Sequence, residues 1–211
     1  MPLAILMRHG EAENNVNRIL VGRHLEFHLT SLGRQQASEA ARLIQDIPIK
    51  KIYASPVIRT IETAEIVSKI LGISYDIDER LYEIDHGNLA GMNYEEIIRK
   101  HGNLFLKYYA EEAPTLADYG LESFSSVKER MTSLLDEIRE NYANENILMI
   151  THLDPIKAAI SALFHLDPEA LYHIRNASLT ILKNEDNVYS LLGVNVMNID
   201  RYLNDKIIFG N

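Results

Sequence analysis

Four side chains, two arginines and two histidines, stand out by their chemistry and by where they fall. Arg8 and His9 follow directly on the apolar run Leu3-Ala4-Ile5-Leu6-Met7. Ser55 follows Lys51-Ile52-Tyr53-Ala54, with Arg59 one helical turn later. His152 closes the run Asn146-Ile147-Leu148-Met149-Ile150-Thr151. Arginine offers a permanent charge and a planar fork of donors that matches phosphate oxygens. Histidine offers a ring nitrogen that is largely neutral near pH 7 and can attack as a nucleophile. Taken singly, an arginine or histidine after a strand is most often solvated surface. The coincidence at three strand ends is what points to chemistry. In an open α/β sheet, ligands bind outside the carboxyl ends of the strands. Two arginines and two histidines meeting there would make a cationic pocket whose natural guest is a phosphate.

The elements that must carry these residues are readable from pattern. The three runs are short, continuous and apolar, as in strands buried on both faces of a parallel sheet. Between them lie helical stretches. Thr30-Ser31-Leu32-Gly33 opens one, carried by Ala37, Ala40, Ala41 and Ile44 and closed by Pro48. Ser55-Pro56 reads as a serine cap followed by a first-turn proline, with Ile61, Ala64, Val67 and Leu71 continuing to Gly72. Phe124, Val127, Met131, Leu134, Leu135 and Ile138 form the apolar stripe of a long helix. A further helix is expected over Ile156–Leu166, and a short one capped by Asp167-Pro168. Ser178–Lys183 and Val188–Val194 are β-rich runs on either side of the turn-forming Asn184-Glu185-Asp186-Asn187. Strands alternating with helices predict an α/β three-layer sandwich: a mostly parallel twisted sheet with helices on both faces. From about Gly91 to Leu121 the chain is richer in Tyr and Glu, with breaks at Gly102, Pro114 and Gly120. We read 91–121 as a helical insertion over the active site, within a single domain spanning 1–211.

Composition narrows the function classes. The chain has 211 residues, 46% hydrophobic and 24% charged, ordinary for a globular protein with a real core. It has no cysteine, which excludes disulfides, thiolate metal sites and a cysteine nucleophile. Its formal charge is −9, so nucleic acid and anionic membrane surfaces are unfavourable partners. Met1–Met7 runs straight into Arg8-His9 without the length of a signal peptide's apolar region, and no stretch is long enough to span a membrane. A cytoplasmic location is expected. His24 and His28 are four apart, but they fall in a loop without a carboxylate motif and read as surface histidines; His86 invites the same metal reading. Tyr94, Tyr108, Tyr109 and Tyr119 read as packing, and Glu111-Glu112 as a solvated face.

The motifs resemble a known family. Met7-Arg8-His9-Gly10-Glu11 is similar to the Arg-His-Gly signature of the histidine phosphatase superfamily, which has the phosphoglycerate-mutase-like fold. Ser55-Pro56-Val57-Ile58-Arg59-Thr60-Ile61-Glu62-Thr63-Ala64 resembles its second block. Leu81-Tyr82-Glu83-Ile84-Asp85-His86-Gly87 resembles the block carrying an acidic proton donor. Glu122-Ser123 with Arg130 resembles a fourth, and Thr151-His152 a fifth, all in the family's order.

The resemblance implies roles. His9 is expected to attack phosphorus and form a phosphohistidine. Arg8, Arg59 and a protonated His152 are expected to hold the phosphoryl oxygens. Asn15, Gly22 and Leu153 are expected to help line the phosphate site. Glu83 is the expected general acid, its pKa raised by its neighbours Glu13 and Asp85. No metal and no cofactor is expected, and the partner is a small phosphorylated substrate, with a homodimer allowed. Leu153-Asp154 departs from the small residue often found after the second histidine, and Asp154 brings a negative charge beside the pocket.

Three functions compete. The favoured one is a metal-independent phosphatase acting on phosphomonoesters. The second is a cofactor-dependent phosphoglycerate mutase. The mutases carry an arginine pair in the insertion, whereas here no arginine lies between Lys100 and Glu129. The third is a non-catalytic phosphate-binding domain, which would predict loss of His9, Glu83 or Arg59, and all three are present.

Overall fold

The computed structural model describes residues 2–110, 118–171 and 173–197. The expectation for Glu111-Glu112, and part of the 91–121 insertion, lie outside the described residues.

Among the described residues, six strands form one mixed sheet in the order β3-β2-β4-β1-β5-β6. They are β1 (Leu3–Arg8), β2 (Ile49–Ala54), β3 (Tyr75–Ile77), β4 (Asn146–Thr151), β5 (Leu179–Glu185) and β6 (Val188–Val196). The first four run parallel, and β5 joins β1 antiparallel and pairs antiparallel with β6. Neighbouring strands β2, β4 and β1 carry the candidate residues. In register, Arg8 of β1 stands beside Thr151 of β4, and Ala54 of β2 beside Ile150. His9, Ser55 and His152 are each the next residue along, so all three emerge at one edge.

The strands are buried because helices cover both faces. Side chains alternate across a strand. Leu3, Ile5 and Met7 face one core with Ala40, Ala41 and Ile44 of the α2 region and Ala64 and Val67 of α3. Ala4 and Leu6 face the other with Val127, Met131, Leu134 and Leu135 of α6 and Ile156 and Ile160 of α7. These helices are α2 (Ser31–Leu43), α3 (Ile58–Leu71), α6 (Phe124–Asn141) and α7 (Leu153–Phe164). A one-turn α1 (Glu13–Asn17) follows the β1 loop, and α4 (Tyr94–His101) and α5 (Leu104–Tyr109) supply the helical insertion.

Several local expectations hold atom by atom. The Thr30 hydroxyl accepts from the Gly33 amide at the start of α2, and Gly72 ends α3 in the left-handed conformation. All six residues of the α6 stripe are buried. The expected turn over Asn184–Asn187 is narrower than read: Asp186 and Asn187, both at positive φ, turn β5 into β6, while Asn184 and Glu185 pair with Tyr189 and Val188 as the end of β5.

Three expectations are corrected. Ser55 does not cap α3: the helix starts at Ile58 after Val57, which has no side-chain cap, and the Ser55 hydroxyl is used in the site. The helix read as Ile156–Leu166 is α7, which begins three residues earlier and stops at Phe164, where His165 turns left-handed. Asp167-Pro168 opens a turn instead of a helix, in which the Asp167 carboxylate accepts from Glu169 N and its carbonyl from Ala170 N. Strand β3 carries too little apolar pattern to be read from sequence; it is three residues long and half exposed.

Candidate active site

The loop after β1 is held by close packing. A Cβ on Gly10 would lie 2.3 Å from the Gly33 carbonyl oxygen, and one on Gly33 only 1.9 Å from that of Glu11. The glycine after His9 therefore lets the β1 loop lie directly on the start of α2. The Gly10 amide donates to Thr63 Oγ1 at 3.1 Å, and the Asn176 amide donates to the His9 carbonyl at 3.2 Å.

The four predicted side chains meet. His9 Nδ1 donates to the Gly10 carbonyl at 2.7 Å, which leaves Nε2 as the ring's lone-pair nitrogen. Arg59 Nε donates to that nitrogen at 3.2 Å. Arg59 Nη2 donates to His152 Nδ1 at 3.0 Å and to the Gly22 carbonyl at 3.2 Å. The two imidazoles stand edge to face with centroids 5.2 Å apart. Arg8 Nη1 donates to the Ile174 carbonyl. All are buried, and Arg59 is 1% exposed.

Burial, reinforced by Arg59 and Arg8, pushes the His9 pKa well below its usual value, so the ring is neutral at pH 7. His152 is lowered in the same way by burial, Arg59 and His9. The expected protonated His152 is thus corrected. Its Nδ1 accepts from Arg59 and its Nε2 donates to Ser55 Oγ at 2.9 Å, which accounts for a neutral ring. Burial also draws Arg59 down to about 10, with Arg8 adding to it and Glu83 opposing. Arg8 Nε and Arg59 Nη1 are buried and have no hydrogen-bond partner among the described residues. Buried cationic donors without acceptors are costly. An anion would relieve both.

A cavity of about 810 Å³ opens on this cluster, lined by Arg8, His9, Asn15, Gly22, Arg59, Glu83 and Leu153 among others. His152 is fully buried and does not line it; its contact is with Arg59. Glu83 is 8% exposed, and its Oε1 accepts from the Ile84 amide. Burial, and next the charge of Asp154, raise its pKa to about 7, against the pull of Arg59 and Arg8. Glu13 and Asp85, expected to raise it, are not among these causes. Asp154 is close because it sits on the first turn of α7, which starts one residue after His152.

A model of the histidine phosphatase superfamily (branch 1) matches residues 4–197. The chain belongs to this superfamily. It is 30% identical over 197 residues to phosphoserine phosphatase 1 of Hydrogenobacter thermophilus, covering 91% of each chain. It is 32% identical over 209 residues to a 2,3-bisphosphoglycerate-dependent phosphoglycerate mutase of Thermoplasma acidophilum, covering 97% of this chain and 99% of that one. Among solved structures, a mycobacterial glucosyl-3-phosphoglycerate phosphatase in complex with VO3 superposes with a TM-score of 0.83 at 26% identity, covering 93% of this chain and 100% of the other.

The third and fourth blocks of this histidine phosphatase prove to be one bracket around Glu83. Arg23 Nε donates to the Glu83 carbonyl at 3.0 Å and its Nη2 to Glu122 Oε2. Arg130 donates to both Glu122 oxygens and to the Arg80 carbonyl. Burial would raise the Glu122 carboxyl, but Arg130 and Arg23 outweigh it and hold it low. In the second block, Glu62 accepts from the Leu29 amide, His28 and Arg34, fixing the preceding loop. His24 and His28 are exposed and face Asp85 and Glu62 respectively. Among the described residues no three His, Asp or Glu side chains cluster as a metal site, and no helix is long and apolar enough to cross a membrane.

Sequence reasoning missed Ser55 as the partner of His152, Asn176 as the tie between His9 and Asn15, and Tyr109 and Lys157 around Asp154. Ser55 was legible as a block residue, but its bond partner is 97 positions away. Lys157 is legible as the end of the tract His152-x-Asp154-x-Ile156-Lys157, but not its contact with Tyr109; nothing local marks Asn176 or Tyr109.

Proposed function

We propose that this histidine phosphatase hydrolyses phosphomonoesters through a phosphohistidine, without a metal ion. The observation that carries the reading is the neutral His9, its Nε2 lone pair beside two buried guanidiniums with unused donors. His9 Nε2 attacks phosphorus as the ester P–O bond breaks. Arg8 and Arg59 take the charge on the equatorial oxygens. Glu83, protonated up to about pH 7, gives its proton to the leaving oxygen. Its carboxylate then takes a proton from water as that water attacks the phosphohistidine. Phosphate leaves and His9 Nε2 regains its lone pair. His152 contributes by holding Arg59. To donate to a phosphoryl oxygen itself, it must carry a proton at Nδ1, either as the imidazolium or as the other neutral tautomer, whose Nε2 accepts a hydrogen bond from the Ser55 hydroxyl.

Asn15, Gly22 and Leu153 complete the phosphate end in this reading. Gly22 acts through its carbonyl, which orients Arg59, and Asn15 through Asn176 and the loop after β1. The substrate is a small phosphate ester, and the proposal places the enzyme among cytoplasmic metabolites, as a monomer or a homodimer. The mutase reading keeps one observation in its favour, the 32% identity to the archaeal mutase.

The test is turnover of p-nitrophenyl phosphate and of alkyl phosphates in excess EDTA, with an alkaline denaturing quench to preserve the acid-labile, base-stable phosphoryl group on His9. Release of inorganic phosphate at an undiminished rate, with label on His9, is expected. Activity abolished by EDTA and restored by a divalent ion would overturn the mechanism. Phosphoryl transfer from 2,3-bisphosphoglycerate to 3-phosphoglycerate outpacing hydrolysis would establish the mutase instead.

A further inference from the structure

The phosphate cavity adjoins a second one of about 380 Å³ that shares Leu20, Leu153 and Asp154 with it and adds Tyr109, Lys157 and Glu169. Asp154 and Lys157 stand one turn apart on the same face of α7, and they are 7% and 4% exposed. Charged side chains this deeply buried are normally paired. Here neither is neutralised by an ion pair among the described residues. Tyr109 holds both through one hydroxyl: it donates to Asp154 Oδ1 at 2.5 Å and accepts from Lys157 Nζ at 3.4 Å. The Lys157 ammonium also lies 4.6 Å over the Tyr109 ring. Asp154 Oδ2 keeps no hydrogen-bond partner among the described residues, and the ammonium keeps donors to spare.

A buried anion and a buried cation, each with bonding capacity left, therefore face a cavity beside the group that protonates the leaving oxygen. We propose that this second cavity holds the alcohol part of the substrate and that this part is zwitterionic, its ammonium on Asp154 and its carboxylate on Lys157: a phosphorylated α-amino acid. A sugar or glycerol phosphate brings hydroxyls and leaves both charges unpaired. A phosphoglycerate satisfies Lys157 but sets a hydroxyl against Asp154. The negative charge after the second histidine, which looked unfavourable for phosphate, becomes a receptor for the positive end of the substrate. The inference rests on the phosphomonoesterase reading of the first cavity.

The experiment compares kcat/KM for O-phosphoserine, 3-phosphoglycerate, which lacks the ammonium, and phosphoethanolamine, which lacks the carboxylate. Wild type is expected to prefer phosphoserine over each by at least about tenfold, the usual worth of one charge-assisted hydrogen bond. Asp154→Asn is expected to erase the preference over 3-phosphoglycerate and keep that over phosphoethanolamine. Lys157→Met is expected to do the reverse, and Lys157→Arg to restore the carboxylate preference. Because all three are alkyl esters, ratios within one variant cancel any change in the acidity of Glu83. Equal rates for the three esters in wild type, or ratios unmoved by Asp154→Asn, would overturn the proposal. Dissociation constants measured by calorimetry on His9→Ala separate the two readings. The same ligand order without wild-type turnover would refute only the phosphatase reading, and turnover without that order would refute only the zwitterion site.

Discussion

Replacing Glu83 by Gln keeps the shape of the side chain and removes its proton transfer. Burial and Asp154 hold this carboxyl at about 7 instead of 4.5. Ionising it in the folded protein therefore costs roughly 3 kcal/mol more than in the unfolded chain. Between pH 4.5 and about 7 the folded state keeps a proton that the unfolded chain has released, so stability from this group falls as pH rises through that window. Above about 7 the full cost is present. Gln carries no such cost. Glu83→Gln is thus expected to match wild type near pH 4 and to gain up to roughly 3 kcal/mol at pH 8, on the order of 6–12 °C in Tm for a domain of this size. Turnover moves the opposite way. Release of alcohol from an alkyl phosphate should slow by roughly 10² to 10⁴, and from p-nitrophenyl phosphate far less, because a good leaving group needs little protonation. The wild-type rate with the alkyl ester should decline above about pH 7 as Glu83 loses its proton, and the variant should lose that decline. Circular dichroism melts from pH 4 to 8 and rapid-quench measurement of the first step give both readouts. A variant that melts below wild type at pH 8, or that slows both esters equally, would refute the reasoning.

His9→Ala should cut turnover at least a hundredfold for every ester while leaving the circular dichroism spectrum unchanged, since losing a nucleophile costs several orders of magnitude; residual activity above about a hundredth of wild type would remove His9 from that role. Orthovanadate should inhibit competitively, and a crystal structure should place it against Arg8, Arg59 and His9 Nε2, with His152 in contact only through a protonated Nδ1; an anion bound only elsewhere on the surface would count against the site. Ser55→Ala should leave His152 Nε2 buried without an acceptor, lowering stability by about 1–3 kcal/mol and weakening vanadate binding through the loosened Arg59; unchanged melting and inhibition would show that the Ser55–His152 bond is idle.

Much of the molecule is written locally. Runs such as Leu3–Met7 and Ile147–Ile150 are apolar on both faces, and only a strand covered on both sides has use for that pattern. Periodic apolar residues marked α2, α3 and α6 for the same reason. The candidate set Arg8, His9, Arg59 and His152 could be placed because its members stand at or just after strand ends, and parallel neighbours bring such ends to one edge. What the sequence left undetermined depends on partners distant in the chain. Ser55-Pro56 carries a capping signal, yet the hydroxyl is taken by His152, a stronger claim because a buried imidazole cannot go unpaired. The charge state of His152 was misread for a related cause: a lone histidine titrates near 6.5 and gains a proton readily beside an anion, whereas burial and Arg59 push this one well below that value. The acidity of Glu83 depends on burial and then on Asp154, and the carboxylates of the neighbouring motifs, Glu13 and Asp85, are not what raises it. In the one-dimensional motif Asp154 is a negative charge beside the pocket and nothing more. Tertiary packing puts it on the first turn of α7, under the Tyr109 hydroxyl and one turn from Lys157. Protonation and specificity follow from distances and burial, and those exist only once the helices have closed over the sheet.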